Sequence, residues 1–419
     1  MSHKRPTKKR SSSSRKHGKR NSNARHQIRP NPGPANHLHR DKQRQMDFDA
    51  LRKEITDTYG LPNDCRIYFL KEYDMKNLPN RPRLKITHQN CVILDADTWK
   101  LIQVIRFTPF TNMDEEDMNK MDFTIKTIYK HTLARSTVKV NRAMKGVERP
   151  GEMYVAGFRG GSDRGRTMGV TALSAKTSKS KQAIAEDEAR MDDVALINDT
   201  LAEWMSTLCM RAFQSNRDLA LEFSIPCFSD KKWADSPNAK VIASSIAVTR
   251  EGFNNKAHPD SDATSHAYGL FCRINRDSGD LHWVEMSDYL GDIVGCYFII
   301  DQYHVELCLD ACDGVVESCW ASDELHHTSA STTYDEGWNS IRPKDSPITR
   351  FGCSLQINAA LLGRIDGLLR LKKGKTDEEW EIYKKKVVKC YEQEVENKIL
   401  KLHNPVQTRR AKQTKRKSS

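Results

Sequence analysis

Between residues 240 and 357 the chain repeats one kind of segment. Six short apolar runs, KVIASSIAVT, YGLFCRI, GCYFIID, VELCLDA, GVVESCW and RFGCSLQI, are separated by turn signals such as Asp277–Gly279 and Asp313–Gly314. Runs this short, rich in Val, Ile, Phe and Tyr, read as strands, and several in series bury their faces only in a sandwich, barrel or jelly roll. The expected class is therefore α+β, with a β core at about 235–365 and helices on either side. No apolar run approaches the ~18 residues that cross a membrane. The first 30 residues lack the apolar centre of a secretory signal.

Before the core, FDALRKEITDTYG has helical spacing and ends at Gly60. LKITH, CVILDAD and KLIQVIRFTPF are β-patterned, and Asp97–Thr98 suits a hairpin turn between the last two. Residues 114–146 and 184–215 read as helices, the second with Ala, Leu, Met and Trp204 at 3–4 spacing. GFRGGSDRGRTMG, Gly157–Gly169, reads as a loop bordering a site; no Gly-Lys-Ser/Thr follows, so it is not a P-loop. A single closing helix is expected from about Asp377 to Leu402, with Trp380, Tyr383, Val387, Tyr391, Val395 and Ile399 on one face.

The net charge of +13 is concentrated at the ends. Residues 1–40 hold 12 Lys and Arg, residues 406–419 hold 6, and neither stretch holds an acid. What lies between is mildly acidic. Residues 1–45 and 404–419 cannot bury enough apolar surface to offset chain entropy and read as disordered tails. Basic tails grip phosphate backbones without reading sequence and also serve as nuclear address labels. The 11 cysteines are odd in number, follow no signal peptide and form no Cys-x-x-Cys, so they read as reduced, buried side chains of an intracellular protein. Cys308 and Cys312 lack the second pair that a zinc site requires.

His258-Pro-Asp260 follows the first β run. Residues two apart on an extended segment point to one side, so both side chains can meet one ion. His-x-Asp alone is a weak signal, since His39-Arg40-Asp41 repeats it in the basic tail and His304-Val-Glu306 comes near it. Context strengthens it. WASDELHHTS supplies a third ligand four β segments later, and two His with one carboxylate form the facial triad of non-haem iron oxygenases, which leaves positions open for a keto acid and oxygen. His326 and His327 face opposite ways on a strand, so only one of them ligates. The last run places Arg350, Gly352, Ser354 and Gln356 on one face, where Arg350 and Ser354 suit the far carboxylate of 2-oxoglutarate.

AVTREGFNNKAHPDSDATSHAYGLF, GCYFIIDQYHVELCLDACDGVVESCW, HHTS and TRFGCSLQI, with CVILDADTWKLIQVIRFTPF and MYVAGFRGG before them, resemble the fungal TET/JBP-like 2-oxoglutarate, Fe(II)-dependent dioxygenases, many of them transposon-associated. The resemblance spans roughly residues 84–365. It implies an oxygenase domain at 46–365 built on a double-stranded β-helix, with a helical segment at 366–403. It implies Fe(II), 2-oxoglutarate and O2, and oxidation of the methyl group of 5-methylcytosine in nuclear DNA. Carried over, His258, Asp260 and His327 are the iron ligands, His327 being preferred by its distance from Trp320, and Arg350 binds the cosubstrate. Asn254, Asn255 and Arg159 border the substrate. Two departures stand out. The Tyr334–Pro347 stretch is an insert, and the polar group that meets the base past the Asp is replaced by Asp262, Thr264 and Ser265.

Overall fold

The computed structural model describes residues 34–62, 64–138, 151–161, 167–284 and 291–403, and for 34–44 and 47 the backbone alone. Residues 34–51 belong to one compact unit, and the other described residues to a second, which holds every sheet. The elements begin with α1 (Pro34–Tyr59), β1 (Arg66–Leu70), β2 (Leu84–Ile86), β3 (Cys91–Asp95), β4 (Leu101–Pro109) and α2 (Glu115–Leu133). They continue with β5 (Glu152–Gly160), β6 (Met168–Val170), α3 (Lys181–Leu208), α4 (Met210–Glu222), β7 (Ser245–Arg250), β8 (His266–Asn275), β9 (Asp292–Val294) and β10 (Tyr297–Ile300). Next come β11 (Val305–Cys308), β12 (Gly314–Ala321), β13 (His326–Thr328), β14 (Thr332–Tyr334), β15 (Ser340–Ile341) and β16 (Ile348–Gln356). α5 (Ala359–Lys372), α6 (Asp377–Val387), β17 (Val388–Lys389) and α7 (Tyr391–His403) end the fold.

All six expected core runs are strands, and they are shared between two sheets. The large sheet runs β1-β3-β4-β12-β8-β16-β7-β5-β6-β17; the small one runs β13-β10-β11-β2. An extended segment at His258 bridges to His326 at the edge of the small sheet. Along the chain, β7 lies in the large sheet, the His258 segment beside the small one, β8 in the large, β10 and β11 in the small, β12 in the large, β13 in the small and β16 in the large. That alternation is a double-stranded β-helix. Phe107, Phe271, Phe298, Tyr303, Leu307 and Trp320 belong to the apolar cluster that fills it.

The β3–β4 hairpin forms where Asp97–Thr98 suggests, and Asp95 Oδ1 accepts from the Asp97 and Thr98 backbone N–H groups and the Thr98 hydroxyl. α2 packs on β5 and β7, and α3 on β4 and β12. Asp114 caps α2 by accepting from Asp117 N–H, and Ser180 caps α3 by accepting from Ala183 N–H, each satisfying an orphan donor of the first turn. α2, α3 and α7 meet at one buried ionic cluster: Asp187 accepts from Arg135 Nη1 at 2.9 Å and from the Tyr391 hydroxyl at 2.7 Å, and His131 Nδ1 lies 3.4 Å away. Nine of the eleven cysteines are buried and none is bridged. Among the described residues no helix is long and apolar enough to cross a membrane.

Several boundaries depart from expectation. Helix α1 starts at Pro34, inside the stretch expected to be disordered, while residues 1–33 and 404–419 lie outside the described residues. The helix expected at 114–146 ends at Leu133, and the one expected at 184–215 is two helices, broken at Cys209 with φ −153° and ψ 94°. The closing helix is also two, because Val388–Lys389 leaves it to pair with β6. Residues 157–160, read as loop, continue strand β5. Gly157 allows this: at φ +103° a Cβ there would stand 2.4 Å from the Ser244 carbonyl oxygen.

Candidate active site

The structure gathers His258, Asp260 and His326. Their ligating atoms all lie within 4.8 Å of one another. His326 Nε2 stands 3.4 Å from Asp260 Oδ2, and His258 Nε2 stands 3.9 Å from Asp260 Oδ1. Backbone pairing sets this convergence: His258 N–H donates to the His326 carbonyl and His326 N–H to the His258 carbonyl, each at 3.1 Å. Asp260 N–H donates to the Ser322 carbonyl at 2.8 Å, which holds the carboxylate beside the pair.

Each imidazole is oriented by its own backbone. His258 Nδ1 lies 2.8 Å from the Lys256 carbonyl, and His326 Nδ1 lies 3.0 Å from the Glu324 carbonyl. A carbonyl only accepts, so each Nδ1 carries a proton and each ring turns its Nε2 toward Asp260, the orientation that metal-binding histidines use. Phe298 stacks on His326 at 5.2 Å, and Trp320 Nε1 donates to Asp260 Oδ2 at 3.4 Å.

His327 is not in this group, which corrects the ligand expected from the sequence. It is the neighbour of His326 on a strand and therefore faces the other way, where its Nδ1 meets Asp301 Oδ2 at 3.3 Å. His327 first, and Arg83 as well, holds the Asp301 carboxyl below the usual carboxylate range. His327 thus belongs to an ion cluster on the opposite face of the small sheet.

The three donors line one cavity of about 210 Å³, together with Arg159, Asn255, Ser354 and Gln356. Arg350 sits behind its wall, two residues before the lining residue Gly352, and its Nη2 donates to the carbonyl of the lining residue Phe253 at 2.9 Å. The side chain is buried, Nε and Nη1 have no partner, and no carboxylate among the described residues pairs with it. Burial pushes its guanidinium down to about 10.

Of the expected substrate residues, Arg159 ends β5 at the cavity, and Asn255 lines it while its Oδ1 accepts from Thr328 N–H at 2.8 Å. Asn254 does not line it; its amide is buried against the Gly252 carbonyl at 3.2 Å. Asp262, Thr264 and Ser265 do not line it either, and Thr264 and Ser265 open instead onto a separate cleft beside α4. Burial, with the charge of Asp260 second, pushes the Asp262 carboxyl up to about 8. Met153 and Val155 of β5 and Gln356 of β16 also line the cavity; none of the three was expected as a site residue, although Gln356 was placed on the right strand face.

The donor set fits a ferrous ion, with two neutral imidazoles and one carboxylate. The orphaned guanidinium fits a ligand that brings its own carboxylate. The model of the Tet-like 2OG-Fe(II) oxygenase superfamily matches residues 117–331, half of the chain, and spans all three donors. The chain belongs to that superfamily. This Tet-like oxygenase matches no curated protein. Solved structures similar to it include an oxidoreductase of the 2OG-Fe(II) oxygenase family from Burkholderia pseudomallei, at 11% identity and TM-score 0.28, covering 61% of this chain and 86% of that one. OsALKBH1 is similar at 11% identity and TM-score 0.27, covering 61% of this chain and 96% of that one. The family makes this a 2-oxoglutarate-dependent dioxygenase that uses Fe(II) and O2.

Proposed function

We propose that this oxygenase acts on the methyl group of 5-methylcytosine in DNA, at an iron held by His258, Asp260 and His326. Iron with 2-oxoglutarate and O2 converts a C–H bond to C–OH, while the keto acid leaves as succinate and CO2. The chain's own residues place the reactants. Arg350 supplies the unpaired cation for the far carboxylate of 2-oxoglutarate, and Ser354, on the same strand face, adds a hydroxyl. Phe271, Phe298 and Trp320 form the apolar part of the cavity wall beside the three donors.

The observation that carries the chemistry is the His-Asp-His cluster on one cavity, with a buried cation that lacks a counter-charge behind the wall of that cavity. Nucleic acid as substrate is supported by the Lys/Arg-rich ends and by Arg159 at the cavity. A base acted on in this cavity must leave the duplex stack to enter. The basic clusters also suit nuclear import, so we place the protein in the nucleus.

The test is anaerobic loading with Fe(II), then incubation with 2-oxoglutarate, O2 and methylated DNA. Succinate is measured alongside nucleosides by mass spectrometry. 5-Hydroxymethylcytosine formed by the native protein and lost in Asp260→Ala supports the reading. Oxidised RNA or protein with unchanged DNA contradicts the substrate, and iron binding without any succinate points to a non-catalytic DNA-binding relative.

A further inference from the structure

We infer that the C-terminal segment, residues 359–403, forms part of the surface that holds the substrate. Through β17 it sets Lys389 beside Arg159 at the cavity, and the two cations hold phosphates of the DNA strand that carries the target base. The inference rests on the proposed DNA-oxidising function and concerns how the same site grips its substrate.

The register of three strands carries it. Arg159 of β5 pairs with Gly169 of β6, and Gly169 pairs with Lys389 of β17. Residues in register share a face of the sheet, so Arg159, Gly169 and Lys389 point the same way. That way is the cavity side, since Met153, Val155 and Arg159, alternate residues of β5, all line the cavity. Met168 and Val388, which point to the other face, are buried. On that other face Val170 packs against the apolar cluster that holds Tyr391 and Val395 of α7. Helix α7 thus covers one face of this sheet edge, and the two cations stand on the opposite one.

Arg159 and Lys389 are both exposed, and neither pairs with a carboxylate among the described residues. Other lysines of the same segment are committed: Lys372 and Lys384 both bind Asp235, at 2.9 and 2.6 Å. Gly169 makes the row possible. A Cβ there would stand 2.6 Å from the Lys389 carbonyl oxygen and 2.7 Å from the Lys389 Cβ, so any larger residue would push β17 off the sheet. Arg159 and Lys389 are therefore about 10 Å apart at the backbone, two strand spacings, with no side chain between them. A nucleic-acid strand is a row of single negative charges, and two long cationic side chains at this separation can each take a phosphate of one strand. A base entering the cavity draws its own backbone across this face. The segment lies beyond residues 117–331, which match the family, and β17 is the strand by which it joins the large sheet.

The experiment uses the full chain and methylated oligonucleotides. Fluorescence anisotropy over a salt series reads binding, and succinate release reads turnover. Lys389→Ala and Lys389→Glu are expected to weaken binding several-fold and to raise KM more than they lower kcat. Lys389→Ala is also expected to make the slope of log K against log salt shallower by about 1, the loss of one phosphate contact. Lys389→Arg is expected to restore both. Lys71 is exposed at the end of β1, the opposite edge of the same sheet, and Lys71→Ala is expected to change neither. Methylphosphonates replacing the phosphates that flank the target base are expected to cost the native protein affinity and to cost Lys389→Ala much less. Thermal melting reports that each variant is folded. Native affinity and salt slope in Lys389→Ala overturn the inference while DNA oxidation stands, and so does equal sensitivity of native protein and variant to the methylphosphonates. A chain that neither binds nor oxidises DNA contradicts the proposed substrate, and this inference falls with it.

Discussion

The Arg350 guanidinium donates to the Phe253 carbonyl at 2.9 Å, and that is the side chain's one hydrogen bond among the described residues, although the residue is 3% exposed. A buried charge without a partner destabilises a fold by several kcal/mol. A ligand carboxylate offsets this, so 2-oxoglutarate is expected to raise the melting temperature of the metal-loaded protein by the equivalent of about 2.7 kcal/mol at a hundredfold excess over its Kd. Arg350→Met is expected to melt no lower than the native protein without cosubstrate and to gain nothing from adding it. Thermal denaturation with and without 2-oxoglutarate checks this; an undiminished shift in the variant contradicts the role of Arg350.

His131 and Asp187 set the acid limit of stability. Burial first, then the Arg135 charge, pushes His131 down to about 4, and Asp187 is held well below the usual carboxylate range by its hydrogen bonds and by Arg135. The unfolded chain protonates His131 near its ordinary 6.5, whereas the folded chain does not, so the unfolded state gains protons first as pH falls. His131 therefore contributes stability that is present above 6.5 and is lost as pH falls toward 4, on the order of 3 kcal/mol. Asp187 extends the loss below the carboxylate range. Urea unfolding at pH 7, 5.5 and 4.5 is expected to show this decline, and His131→Leu to flatten the part between 6.5 and 4.

The basic ends give a prediction about salt. A chain lacking residues 1–33 and 404–419 loses 17 Lys and Arg and no acid. Its affinity for duplex DNA is expected to fall equally on methylated and unmethylated sequences, with a shallower dependence of log K on log salt, since fewer counterions are released. Fluorescence anisotropy over a salt series reads both. Unchanged slopes contradict the tails' part in binding.

Much of this architecture was legible because it is local. The six core strands and the β3–β4 hairpin are apolar runs closed by turn residues, and His258 and Asp260, two apart in sequence, meet as that spacing suggests. The third ligand was not legible, because the turn between Trp320 and His326 resets the alternation. Which imidazole faces the ion depends on the long-range pairing of His258 with His326. Strand β5 was hidden by Gly157 and Gly160, which suggest a loop until the Ser244 backbone is seen packed against Gly157. The break at Val388 has the same origin: the helical pattern runs through it, but pairing with β6 overrides local preference.

His326, with His258 and Asp260, is proposed to hold the iron. Fe(II) bound per chain, measured anaerobically in native protein, His326→Ala and His327→Ala, tests it most directly. One iron is expected in the native protein and in His327→Ala, with loss of binding in His326→Ala. Retention in His326→Ala with loss in His327→Ala would contradict it.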